Sequence, residues 1–160
     1  MIKHPFKAIY NKDSKILILG SFPSVKSREQ KFFYGHPQNR FWKVISAIFK
    51  EEIPQSISEK QALLIKHKIA LWDVIASCEI TGSSDSSIIN AVPNDLSPIF
   101  ECAKIKKVFC NGTKSYELYQ KYIFPNNNIM AEKLPSTSPA NAAWTLEKLI
   151  KEWSFKINSN

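Results

Sequence analysis

Apolar residues in this chain come in short blocks divided by polar turns. Lys15-Ile16-Leu17-Ile18-Leu19 is a continuous apolar run, stopped abruptly by Gly20-Ser21-Phe22-Pro23-Ser24. That is the pattern of a doubly buried parallel strand with a ligand loop at its carboxyl end. From about Asn39 to Lys50, Phe41, Trp42, Ile45, Ile48 and Phe49 recur at helical spacing. Ser58-Glu59-Lys60-Gln61 has the form of a capping box and predicts a helix through about Lys66. Ile69 to Ile75 reads as the second strand, followed by a polar, Ser-rich loop from Cys78 to Ser87 that holds Gly82 and Asp85. Asp95 can cap a helix running to about Ala103. Lys107 to Cys110 is the third strand, closed by Asn111-Gly112, with a helix from Thr113 to Tyr122 and a turn at Pro125. Ile129 to Leu134 is a weaker fourth strand. It leads through Pro135-Ser136-Thr137-Ser138-Pro139-Ala140-Asn141 into a last helix ending at about Trp153, with Ser154 to Asn160 expected as a frayed tail.

Strands alternating with helices predict an α/β fold, a three-layer sandwich around a central, mostly parallel four-stranded sheet. No repeat or linker divides the 160 residues, so a single domain is expected, with its core at about 15–153. In such sheets the ligand sits beyond the carboxyl ends of the strands. That rule brings Gly20–Ser24, Ile75–Asp85, Asn111-Gly112 and Pro135–Asn141 to one composite cleft.

The composition, 44% hydrophobic and 22% charged, is that of an ordinary globule and adds little. The charge changes the picture more. A net +8 favours a polyanionic partner, although nearly all of it is Lys, since Arg28 and Arg40 are the two arginines. The sequence has no apolar run long enough to cross a membrane and no apolar core of a signal peptide near Met1, so a cytoplasmic monomer with no membrane partner is the expectation. Cys78, Cys102 and Cys110 lack metal-ligand spacing and read as reduced packing residues. Neither metal nor cofactor is expected, and P-loop, GxGxxG and GxSxG motifs are missing.

The candidate chemistry gathers around Phe32-Phe33-Tyr34-Gly35-His36-Pro37-Gln38-Asn39-Arg40-Phe41-Trp42. Rings, a His, a carboxamide and a guanidinium in eleven residues suit a pocket for a flat, polar, uncharged group such as a nucleobase. Asn39 can hold a water through its oxygen and aim it at an electrophilic carbon, or cap the following helix. Tyr34 is a stacking platform or a core ring. His36 donates to a base carbonyl and steadies a departing anion, or packs its own loop. Arg40 reaches a phosphate or makes a salt bridge inside the fold, and Phe41 and Trp42 belong to the helix's apolar stripe. Asn111 offers a donor and an acceptor in one plane, matching the edge of an oxo-purine or pyrimidine, or forms a plain turn before Gly112. Ser136, Thr137 and Ser138 bind phosphate at a strand-to-helix junction, or make an ST-turn. Asp73 and Asp85 are carboxylates near the expected cleft that also serve as simple loop braces.

Together, Gly20-Ser21-Phe22-Pro23-Ser24, Gly35-His36-Pro37-Gln38-Asn39-Arg40-Phe41-Trp42 and Pro135-Ser136-Thr137-Ser138-Pro139-Ala140-Asn141 resemble the uracil-DNA glycosylase superfamily, most of all its hypoxanthine-DNA glycosylase branch. The resemblance spans about Lys15 to Trp153. It implies a monofunctional glycosylase that flips a deaminated base out of DNA and hydrolyses its N-glycosidic bond, with no cofactor. It assigns catalysis to Asn39, base binding to Phe22, Tyr34 and Asn111, and DNA contacts to the loop with Ser136, Thr137, Ser138 and Asn141; the residues themselves add His36 to catalysis and Ser24 and Arg40 to the DNA contacts. Mismatch-specific relatives carry a Gly-x-Asn-Pro first motif whose Asn positions the attacking water. Phe22 stands at that place here and cannot orient water. The alternatives are the same chemistry on uracil or mismatched thymine, a non-catalytic damaged-DNA binder, and a small-molecule nucleoside hydrolase.

Overall fold

Leu17 and Leu19 belong to one apolar core and Ile18 to another, and all three are fully buried. A strand with that alternation must be covered on both faces. The strand is β2 (Ile16–Gly20), seen in a computed structural model that describes residues 1–159. It pairs in parallel with β3 (Ile69–Asp73) on one side and β6 (Lys107–Asn111) on the other, and β6 pairs in parallel with β7 (Glu132–Leu134). The order β3-β2-β6-β7 is the central parallel sheet that the apolar runs predict.

Helices cover both faces. On the Ile18 side, α2 (Phe41–Ile48), α3 (Ile57–Lys66) and α7 (Leu146–Asn158) supply Phe41, Ile45, Leu64, Leu149 and Trp153, which exclude solvent completely. Each such side chain contributes roughly 1.5–3 kcal/mol of burial. On the Leu17 side, α4 (Ser97–Cys102) and α5 (Thr113–Tyr122) supply Ile99, Leu118 and Tyr119. Two short helices, α1 (Val25–Gln30) and α6 (Phe124–Asn127), follow the first loop and α5.

A second sheet departs from the expectation. The run Ile69–Ile75 is not one strand. After β3 the chain bonds through Val74 N and Ile75 N to the carbonyls of Gly20 and Ser21 (2.8 and 3.1 Å). It then passes into β4 (Ile75–Glu79), which pairs antiparallel with β1 (Ile2–Lys3) and β5 (Ile89–Pro93). The crossing has no Gly or Pro, and Ile75 and Cys78 are as buried as the residues of β3, so hydrophobicity alone does not mark the break. Strand β5 escapes notice because Ile89 and Val92 are exposed.

Other boundaries shift for local reasons. Ser56, not Ser58, caps α3, accepting from Glu59 N, while Glu59 Oε2 accepts from Gln55 N. Asp95 Oδ1 accepts from Ser97 N (3.0 Å), although Leu96 is the N-cap residue of α4. Cys102 is exposed rather than packed. The segment expected to fray from Ser154 instead continues α7 to Asn158, because Leu149, Trp153 and Ile157 form one buried stripe at four-residue spacing. Asn160 lies outside the described residues.

That stripe gives a direct test. Ile157→Ala is expected to cost about 2–5 kcal/mol of unfolding free energy, measured by urea denaturation, whereas a frayed end would change it by less than about 0.5 kcal/mol.

Candidate active site

The carboxyl ends of β2, β3, β6 and β7 open on one side of the sheet. The loops they release enclose a cavity of about 300 Å³. Gly20 to Ser24 come from the end of β2, Asp73 ends β3, Asn111 ends β6, and Ser136 to Ala140 follow β7. Tyr34, His36 and Asn39 come from the aromatic stretch, and Ser83 and Asp85 from the loop after β4. The composite cleft expected from the strand ends is therefore present.

Two rings form part of the wall. Phe22 is buried, with the Arg28 guanidinium 5.7 Å from its ring centre and the His4 ring edge-on at 5.9 Å. Tyr34 stacks on Phe41, with ring centres 4.2 Å apart and planes 15° apart, so one of its faces is occupied. Tyr34 sits in the left-handed region at φ 53°. The segment is pinned by Gly35 N donating to Ser27 Oγ (2.9 Å) and Trp42 Nε1 donating to Phe33 O (3.1 Å). The Tyr34 hydroxyl is fully buried and has no hydrogen-bond partner among the described residues. Burial, reinforced by the nearby Asp73 carboxylate, pushes its pKa far above the ordinary phenol value, so it stays neutral.

Thr137, fully buried, joins the two candidate asparagines. Its Oγ1 accepts from Asn111 Nδ2 (3.0 Å) and donates to Asn39 Oδ1 (2.9 Å), and its main-chain N donates to Asn111 Oδ1 (3.1 Å). Asn39 Oδ1 also accepts from Phe41 N (2.9 Å) at the start of α2. Both alternatives for Asn39 thus meet in one side chain. It engages the helix start, and its oxygen, with two donors already, has no lone pair left for a water. The group it keeps free is Nδ2. Asn111 commits one lone pair of its oxygen and one N–H to Thr137, leaving one N–H and one lone pair for a ligand.

Several expected DNA contacts turn inward. The Arg40 guanidinium donates to the carbonyls of Thr137 (3.4 Å), Ser138 (2.8 Å), Asn141 (3.2 Å) and Trp144. Arg40 N donates to Thr137 O as well (3.1 Å). With four of its five N–H groups committed, Arg40 is a clamp on the loop after β7; its partners are carbonyls rather than the carboxylate of a salt bridge. Thr137 is sealed away from phosphate. Ser24 caps α1, accepting from Ser27 N and donating to Ser27 Oγ. Asn141 Nδ2 holds Ser136 O (3.0 Å). By contrast, Ser136 Oγ and Ser138 Oγ each accept from a main-chain N–H, at 3.1 and 3.2 Å, which leaves both hydroxyl protons free to donate. His36 accepts from Gln38 N at Nδ1 (3.1 Å).

Two carboxylates complete the cavity. Asp73 is buried, and its Oδ2 bonds His4 Nε2 (2.7 Å). Its Oδ1 and Tyr34 Oη both crowd the point where a Cβ on Gly20 would sit, so only glycine lets them approach. Asp85 Oδ1 accepts from Ser21 Oγ (2.8 Å). Although Asp85 is exposed as a residue, crowding around its carboxyl raises its pKa; the Ser21 hydrogen bond opposes that, Asp73 adds to it and Lys114 counters it. His4 is a site residue that sequence reasoning missed, since nothing near Met1 marks it and β1 alone carries it across to Asp73. The buried Cys110 thiol is pushed up to about 12 and is no nucleophile at neutral pH. Among the described residues no group of three His, Cys, Asp or Glu is placed to hold a metal ion, and no helix is long and apolar enough to cross a membrane.

Known proteins share this arrangement. The family model described as the Uracil DNA glycosylase superfamily matches residues 8–157. A Methanosarcina acetivorans protein named hypoxanthine DNA glycosylase is 34% identical over 155 residues, 96% of each chain. A protein of the same name from Methanosarcina barkeri is 37% identical over 120 residues, covering 73% of this chain and 75% of its own. A solution NMR structure of a Methanosarcina acetivorans protein superposes with a TM-score of 0.82 at 32% identity, covering 97% of this chain and 96% of the other. With the sheet, the three loop motifs and the family model in agreement over nearly its whole length, the chain belongs to the uracil-DNA glycosylase superfamily.

Proposed function

We propose that this chain is a monofunctional DNA glycosylase that removes hypoxanthine from deoxyinosine in DNA, working as one catalytic unit, a monomer in the cytoplasm. The observation that carries the reading is the cavity itself, which has aromatic walls, a buried carboxylate, and carboxamide donors, and is bordered by a loop with two free hydroxyl protons. Relatives at 34% and 37% identity bear the name hypoxanthine DNA glycosylase, which supports the same choice of base.

The flipped base would lie against Phe22 and the open face of Tyr34. Flipping costs a few kcal/mol and least for a mispaired base. Deamination of adenine turns ring N1 from an acceptor into an N–H donor and replaces the exocyclic amine with a carbonyl. Asp73 Oδ1, held by the His4 contact to its other oxygen, suits that N–H and repels the N1 lone pair of adenine. The free N–H of Asn111 then meets the carbonyl oxygen. In this reading Asn39 acts through Nδ2, donating to the attacking water or the departing base, and His36 Nε2 steadies the leaving anion. Ser136 and Ser138 donate to phosphate, while Arg40, Thr137 and Asn141 hold the shape of their loop. The scattered lysines add a sequence-independent attraction that weakens with salt.

Uracil carries the same N–H beside a carbonyl, so Asp73 alone does not separate it from hypoxanthine, and Phe22 is the feature that argues against uracil. Labelled duplexes carrying one inosine, uracil, xanthine or mismatched thymine, cut by alkali after incubation, test the reading. Cleavage is expected at inosine first; equal cleavage at uracil would overturn the base assignment, and binding without cleavage at any base would overturn the catalytic one. Asn39→Ala is expected to slow single-turnover release of hypoxanthine by about 10²-fold or more. Thr137→Val, which breaks the link between both asparagines, is expected to cost about 1–3 kcal/mol of stability together with a clear loss of activity. Thermal melting and the same cleavage assay read the two effects.

A further inference from the structure

Neither Asn39 nor Phe22 supplies an acceptor for the proton that water must lose as it attacks the sugar. The oxygen of Asn39 is filled by Phe41 N and Thr137 Oγ1, and Phe22 has no polar atom. We propose that Asp85 faces the anomeric carbon and is the general base of the reaction. This assignment rests on the glycosylase reading above.

Position carries the argument. Asp85 borders the base cavity and also an adjoining cavity of about 490 Å³ that includes Ser136, Ser138, Lys133 and Lys156. The two cavities share Asp85, Ser136, Ser138 and Ala140; a nucleotide with its base in the first and its phosphates against the second has its sugar at this shared border, where Asp85 is the one carboxylate. Asp73, in contrast, borders the first cavity and not the second, so the two carboxylates divide into a base end and a sugar end.

Asp85 is also held firmly. Its Oδ1 accepts from Ser21 Oγ (2.8 Å), next to Phe22. The turn that carries it is tied to the first loop by Val25 N donating to Ser83 Oγ (2.9 Å) and Arg28 donating to Gly82 O (3.2 Å). Ser87 Oγ braces the turn from within, accepting from Thr81 N and donating to Ser84 O. The second oxygen, Oδ2, has no partner among the described residues. The residue's exposure leaves water a path to it. A carboxyl whose pKa is raised by crowding is closer to the strength a general base needs near neutral pH.

The step balances with water as sole co-reactant. The water oxygen bonds C1′ as the C1′–N9 bond breaks, its electron pair leaving with hypoxanthine. Asp85 takes the proton that the water sheds. Solvent returns one proton to the departing base, and Asp85 is ionised again.

The test compares wild type, Asp85→Asn and Ser21→Ala on an inosine duplex under single turnover. Binding is measured on a duplex whose 2′-fluoro nucleotide resists cleavage. Asp85→Asn is expected to cut at least 10²-fold more slowly with the same affinity and melting temperature; a rate within threefold of wild type overturns the proposal. Ser21→Ala keeps the carboxylate but removes the hydrogen bond that lowers its pKa, with Asp73 and Lys114 still facing it. The acid limb of its pH–rate profile should therefore move to higher pH; a uniform fall at every pH would mark Asp85 as a brace and overturn the assignment even where Asp85→Asn fails to fold. Wild type inactive on every duplex would overturn the glycosylase reading and this one with it, whereas active wild type with unchanged Asp85→Asn would overturn this one alone.

Discussion

One hydroxyl, Thr137 Oγ1, joins three parts of the chain that are far apart in sequence. It sits on the loop after β7, accepts from Asn111 at the end of β6 and donates to Asn39 at the start of α2. A hydroxyl can donate once and accept twice, and this one is buried where an unpaired polar group would cost about 1–3 kcal/mol. The three segments are therefore coupled through it: if the loop after β7 moves, both asparagines lose a partner, and if either asparagine moves, Thr137 loses one. Arg40 strengthens the same joint from outside by gathering the carbonyls of Thr137, Ser138, Asn141 and Trp144 on one guanidinium, a task suited to its rigid fork of donors. The loop with two free serine hydroxyls owes its shape to these internal bonds and is ready before any ligand arrives.

The parallel sheet explains why so many polar groups converge without unfolding the core. Its strands are buried on both faces and end together, so Gly20, Asp73 and Asn111 stand in neighbouring positions on adjacent strands. The break after Asp73 adds what a simple α/β sandwich lacks. By sending β4 into a separate antiparallel sheet, it swings the turn with Asp85 back over the first loop. A carboxylate then reaches the cavity from a segment more than sixty residues away from Ser21.

The sheet, both layers of helices and the cleft at the strand ends were legible in the sequence because they follow from apolar runs and turn residues. The aromatic stretch and the loop after β7 were legible as motifs, and Phe22, Tyr34, His36, Asn39, Asn111, Ser136 and Ser138 do line the cavity. What stayed hidden was which way each polar group faces. Arg40 and Thr137 look like ligand contacts by type, yet Arg40 holds a main-chain carbonyl 98 residues away and Thr137 holds the side chains of Asn111 and Asn39, 26 and 98 residues away, and no local pattern reveals such pairings. His4 and its contact with Asp73 were hidden for the same reason, since that contact exists only because β1 lies beside β4.

Tyr34 bears on what evolution and engineering can do with this site. Its hydroxyl is buried without a partner among the described residues and its backbone lies in the left-handed region, two features that each make the empty protein less stable than it need be. Selection for heat resistance alone would favour removing that oxygen. A library sorted by melting temperature would therefore drift away from this residue while appearing to improve the protein.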